Sequence, residues 1–134
     1  MEAESGEPRR LRVLVADDEP AIRLMCRINL EIEGIDVDEA ADGREALDLV
    51  LADPPDVVLL DIAMPAKNGW QVADAISRGP TRDQVAIIFM SASVTGRSRE
   101  EAERRGLTLL TKPFNPLELP ALVRAAVDAD SLDR

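Results

Sequence analysis

Three short stretches of the chain carry no polar alternation: Arg12-Val13-Leu14-Val15-Ala16, Asp56-Val57-Val58-Leu59-Leu60 and Val85-Ala86-Ile87-Ile88-Phe89-Met90. A strand that is apolar on both sides is buried on both sides, as in the interior of a parallel sheet. Ile35-Asp36-Val37-Asp38-Glu39-Ala40 does alternate, so it predicts an edge strand with one wetter face, and Leu107-Thr108-Leu109-Leu110-Thr111 predicts a second edge. Between these runs the apolar period lengthens to three and four. Residues 19–33 place Ile22, Met25, Cys26 and Leu30 on one stripe, begin with Pro20 in the first turn and stop at Gly34. Residues 43–52 read as a helix closed by Pro54-Pro55, and residues 70–77 as one closed by Gly79-Pro80. Ser98 and Glu101 have capping-box spacing ahead of a helix ending at Gly106, and Asn115, Pro116 and Glu118 lead into a helix over residues 117–127. Strict alternation of strand and helix implies one α/β domain, a parallel sheet with right-handed crossovers and helices on both faces. The expected domain covers residues 10–128, with flexible tails at 1–9 and 129–134.

Composition narrows the chemistry. The 134 residues are enough to close a core without disulfides, and an apolar fraction of 46% argues against disorder. A formal charge of −10 argues against nucleic acid and anionic membranes as partners, since both attract cationic surfaces. There is no histidine, so no imidazole serves as base, metal ligand or phosphate carrier, and the single cysteine, Cys26, sits on an apolar stripe and reads as core. No apolar run is long enough to span a bilayer, and no secretory leader is legible, so the expected location is cytoplasmic.

Sites in an open parallel sheet form at the carboxyl ends of its strands. The first apolar run ends in Asp17-Asp18, the middle one in Asp61, the next in Ser91, and the last in Thr111-Lys112. Three carboxylates, a hydroxyl and an ammonium therefore converge on one rim. Two unit charges ~4 Å apart repel by about 4 kcal/mol at an effective dielectric of 20. Either one carboxyl is protonated or cations sit there. Lys112 is one such cation, and it stands out in a chain with two lysines against fourteen arginines. A hard divalent ion is the natural other, and Mg²⁺ suits a site of few carboxylates that keeps several waters. Singly, each residue has a plainer reading: Asp18 as a helix cap, Asp61 as a turn residue, Ser91 as a strand-end cap.

Together, Asp17-Asp18, Asp61-Ile62-Ala63-Met64-Pro65-Ala66-Lys67-Asn68-Gly69, Ser91-Ala92 and Lys112-Pro113-Phe114 resemble the receiver domain of two-component response regulators. The resemblance covers roughly residues 11–127. It implies a doubly wound, flavodoxin-like (βα)5 fold with strand order 2-1-3-4-5 and a cis bond at Lys112-Pro113. It further implies that Asp61 is the phosphoacceptor, and that Asp17, Asp18, Asp61 and the backbone carbonyl of Ala63 hold Mg²⁺. Lys112 would neutralise the phosphoryl oxygens, and Ser91 would be the hydroxyl that moves to meet them. The implied partners are a sensor histidine kinase or histidine phosphotransfer protein and an unknown downstream protein, with no nucleic acid or membrane bound by this chain. One position departs from the family: the aromatic residue usual three before the lysine is Leu109 here. Ala63 and Ser93, expected to flank the phosphoryl group, offer no carboxylate or amide to orient water.

On this reading the chain is a signalling switch rather than an enzyme, catalysing only its own phosphorylation and slow autodephosphorylation. A stand-alone receiver is favoured over the amino-terminal part of a longer regulator. The competing class is an aspartate-nucleophile, Mg²⁺-dependent phosphatase. Such enzymes resemble one another in a D-x-D on the first strand, whereas here the two aspartates are adjacent and the best nucleophile lies on the third strand.

Overall fold

The computed structural model describes residues 9–92 and 95–132. Five strands, β1 (Arg12–Ala16), β2 (Asp36–Ala40), β3 (Val57–Asp61), β4 (Ala86–Ser91) and β5 (Thr108–Thr111), alternate with five helices. These are α1 (Pro20–Glu31), α2 (Gly43–Ala52), α3 (Gly69–Arg78), α4 (Gly96–Arg104) and α5 (Leu119–Leu132), the last entered through a 3-10 turn at Pro116–Glu118. All strand pairs are parallel and their order is β2-β1-β3-β4-β5, as expected.

The unbroken apolar runs are buried as their pattern requires: every residue of β3 is buried, as is each residue of β1 and β4 except the first. β2 alternates, with Val37 and Ala40 inside and Asp36 and Asp38 outside. Side chains divide by strand period between two cores. Leu14, Ala16, Val58, Leu60, Ile87 and Phe89 face α2, α3 and α4. Val13, Val15, Val57, Leu59, Ile88 and Met90 face Cys26 and Leu30 of α1 and Leu119 and Val123 of α5. Burying each such side chain is worth about 1.5–3 kcal/mol, so the two cores fix the face of each strand, and the parallel pairing puts every loop that follows a strand at one end of the sheet.

Two helix boundaries differ from the sequence expectation. The capping box of α4 is formed by Thr95 and Ser98, each side chain accepting from the other's backbone N–H, and not by Ser98 and Glu101. A hydroxyl at the third helical position can fold back as a Glu does, and Glu101 is engaged instead by Arg104 and Arg105. The backbone of α5 stays helical to Leu132, beyond 127 and into the expected tail, because its alanine-rich end holds no Gly or Pro to stop it. Of the other expected tail, residues 1–8 lie outside the described residues. Among the described residues, no helix is long and apolar enough to cross a membrane.

Candidate functional site

The register levels the strand ends. Ala16 pairs with Leu60, Asp61 with Met90 and Ser91 with Thr111, so Asp17, Asp61, Ser91 and Lys112 emerge side by side at the carboxyl rim. Asp17 and Asp61 are buried, Asp18 is exposed, and one carboxylate oxygen from each of the three lies within 4.8 Å of the other two. Ser91 closes β4, buried, and its carbonyl accepts the backbone N–H of Lys112 at 2.9 Å, which anchors the lysine's strand end beside it. The Lys112-Pro113 bond is cis.

Lys112 Nζ lies 2.7 Å from Asp17 Oδ2, 3.3 Å from Glu19 Oε1 and 3.6 Å from Asp61 Oδ2. Burial opposes its charge, but Asp17, Asp61 and Glu19 more than offset this and hold the ammonium above its ordinary range. Burial, and then the Asp17 charge beside it, push the Asp61 carboxyl up to about 6, against the pull of Lys112 and a backbone hydrogen bond from Ala63. One lysine therefore falls short of balancing three carboxylates.

The donor set fits a hard cation. Asp17 Oδ2 is fully buried and has the Lys112 ammonium beside it at 2.7 Å. Three carboxylate oxygens within 4.8 Å of one another are the hard donors that Mg²⁺ takes. Asp17, Asp18 and Asp61 are the residues that could hold it.

The loop after β3 is shaped by close approach. Gly69 N–H donates to Ile62 O at 2.8 Å, and a Cβ on Gly69 would sit 2.7 Å from the Asp61 carbonyl. Only glycine lets α3 start this near to Asp61. Trp70 follows, its ring against Phe89 at 4.5 Å between centroids and beneath the Arg105 guanidinium at 5.1 Å. Cys26 is buried, its thiol pushed up to about 12 by burial and then by Asp17, which makes it inert core as the pattern implies. Asp18 does not cap α1; Glu19 occupies that position.

The structure thus gathers every sequence-singled side chain of the site, Asp17, Asp18, Asp61, Ser91 and Lys112, on one rim. Ala63 is exposed in the loop directly after Asp61, and Ser93 lies outside the described residues. Glu19 was read only as a helix start; the signal for more was that it makes a third acid in Asp17-Asp18-Glu19.

Comparison with known proteins gives a consistent answer. The family model of the response regulator receiver domain matches residues 13–124. The chain is 39% identical over 116 residues to the response regulator MprA of Mycolicibacterium vanbaalenii, covering 86% of this chain and 49% of that protein, so it spans about half of that relative's length. It is 34% identical to an uncharacterised 14.6 kDa protein of Leptolyngbya boryana, covering 86% and 88% of the two chains. The structure of the chemotaxis protein CheY4 of Vibrio cholerae superposes with a TM-score of 0.80 at 30% identity, covering 88% of this chain and 99% of that one. A match running from the first strand into the last helix leaves no ambiguity: this chain belongs to the receiver domain family of response regulators.

Proposed function

We propose that the chain is a phosphorylation-driven switch whose acceptor is Asp61. The observation that carries this reading is the clustering of Asp17, Asp18 and Asp61 around the Lys112 ammonium. An Asp61 carboxylate oxygen forms a bond to phosphorus while the bond from phosphorus to the donor breaks, and the donor keeps the electron pair. With its carboxyl at about 6, Asp61 is ionised at neutral pH, as a nucleophile must be. Lys112 supplies a compact positive charge for the phosphoryl oxygens, which is most of what a loose phosphoryl-transfer state asks of a protein. Asp17, Asp18 and Asp61, with the Ala63 carbonyl, would hold Mg²⁺, which when bound neutralises developing negative charge. Ser91, at the neighbouring strand end, would meet the phosphoryl group and draw the segment after β4 toward it.

The donor is a sensor histidine kinase or a histidine phosphotransfer protein in the cytoplasm, and the output is binding to a downstream protein. A stand-alone receiver is favoured over the amino-terminal part of a longer regulator, a reading supported by the 14.6 kDa relative, of which this match covers 88%. With Leu109 at the usual aromatic position, packed against the α2–α4 core, output does not pass through ring rotation.

The test is incubation with acetyl phosphate and Mg²⁺, read by intact mass. The wild type is expected to gain one phosphoryl group and Asp61→Ala none. A stoichiometric adduct on Asp61→Ala would refute the assignment, and turnover of a generic phosphomonoester by the wild type would favour the phosphatase class.

A further inference from the structure

Glu19 stands at the N-cap of α1, but its side chain makes no capping hydrogen bond. It reaches instead across 93 residues of sequence to Lys112, with Nζ donating to Oε1 at 3.3 Å. Its backbone is fixed to the acidic cluster, since the Glu19 N–H donates to Asp17 Oδ1 at 2.9 Å. Lys112 is thereby shared among three carboxylates. Asp17 and Asp61 are buried at strand ends, whereas the Glu19 side chain is 62% exposed and is the partner that can swing away without disturbing the sheet.

We propose that Glu19 is a positioning and selectivity residue for phosphoryl transfer, holding Lys112 back from an incoming phosphoryl group and setting a further negative charge at the mouth of the site. This rests on the reading of Asp61 as acceptor. A small anionic donor has little besides its phosphoryl group with which to bind, so it bears the full repulsion and the full cost of freeing Lys112. A protein donor offsets both through the rest of its interface. Glu19 thus favours transfer from a protein over transfer from free metabolite-sized phosphates. The step itself is unchanged: Asp61 oxygen bonds to phosphorus as the phosphorus–oxygen bond of the acyl phosphate breaks, and acetate leaves with the electron pair.

Because Glu19 is exposed, its effect is of modest size and screened by salt. The experiment measures the rate of Asp61 phosphorylation by acetyl phosphate at saturating Mg²⁺, at low and at about 1 M ionic strength. Glu19→Gln is expected to react about three- to tenfold faster than wild type at low salt, with the gain falling below about twofold at high salt. Glu19→Asp, which keeps the charge on a shorter arm and loses the reach to Lys112, is expected to fall between the two. Equal rates for wild type and Glu19→Gln, or a gain that ignores salt, would overturn the proposal; so would a change in melting temperature without a change in rate, which is all that a helix-end role predicts. A wild type that accepts no phosphoryl group under any of these conditions overturns the acceptor reading, and this one with it.

Discussion

The two rims of the sheet use the same residue types to opposite ends. At the amino ends of the strands, acids and bases are matched: Arg9 with Asp56 at 2.8 Å, Arg10 with Asp36 at 3.0 Å and Arg12 with Asp53 at 3.1 Å. At the carboxyl ends, Asp17, Glu19 and Asp61 share the single ammonium of Lys112. Burial alone would push Asp56 up, but the Arg9 guanidinium and the Arg12 N–H, donating at 2.8 Å, reverse it and hold its carboxyl below the usual range. Asp61, at the other end of the same strand's span, is pushed up to about 6. Charge is balanced at the amino rim and left unbalanced at the carboxyl rim, around the proposed acceptor Asp61.

The largest effect expected from this contrast is on pH dependence. Asp61 has a native pKa above its unfolded value of about 3.9, so between about pH 4 and 6 the native state binds more protons than the unfolded state. Stability then falls as pH rises through that window, by about 3 kcal/mol at about 1.4 kcal/mol per unit, and stays low above it. Asp61→Asn removes the penalty. In chelator-treated buffer it should be more stable than wild type at pH 7 by up to that amount and similar to it below pH 4, by urea denaturation. A variant no more stable than wild type at pH 7 would mean that the rim is not electrostatically strained. Added Mg²⁺ should narrow the gap by stabilising the wild type alone.

Asp56→Ala should move stability the other way. It removes the Arg9 ion pair and leaves the Arg12 N–H without its acceptor, a loss of about 1–3 kcal/mol at neutral pH. Since the Asp56 carboxyl is held below its usual range, this contribution is present at neutral pH and lost as pH falls through the native pKa. The two aspartates therefore give slopes of opposite sign on acid titration. Phosphorylation of Asp56→Ala by acetyl phosphate should proceed at the wild-type rate, because Asp56 precedes β3 at the amino rim, the opposite end of the strand from Asp61.

Much of this was legible in the sequence because it is written in short-range pattern. Unbroken apolar runs announce strands buried on both faces, and the residue ending each run lies on the site by the logic of a parallel sheet. What escaped depends on partners far apart in the chain. Nothing local says that Glu19 turns from its helix end to meet Lys112, or that Arg105 joins Asp74 at 2.7 Å while lying over Trp70. The capping box of α4 was misplaced because Ser98-x-x-Glu101 and Thr95-x-x-Ser98 both satisfy the same spacing, and only packing decides which turn comes first. Ala66 gave no signal at all, since alanine carries no marker of backbone conformation.

Ala66 supplies the smallest and sharpest test of the contrast between rims. It is the one residue other than glycine with positive φ among the described residues, at 69°, in the loop between Asp61 and α3. The Lys67 N–H donates to the Pro65 carbonyl at 2.8 Å, closing a three-residue turn around Ala66, a geometry that is strained for an L-residue. The turn is held from outside: Gly43 N–H donates to Pro65 O at 3.4 Å, and a Cβ on Gly43 would lie 1.9 Å from Lys67 O, so α2 leaves the loop no room to relax. Ala66→Gly removes a left-handed penalty of about 1–2 kcal/mol and gives back part of it in unfolded-state entropy, for a net gain of about 0.5–1 kcal/mol. Backbone strain has no protonation state, so this gain should be the same at pH 4 and pH 7 and unchanged by Mg²⁺, unlike that of Asp61→Asn. Ala66→Val should lose stability in the same buffers, because β-branching sharpens the clash at positive φ. A gain for Ala66→Gly that grows with pH would mean that the loop's conformation is coupled to the charge on Asp61, and that strain and electrostatics at the carboxyl rim are one device rather than two.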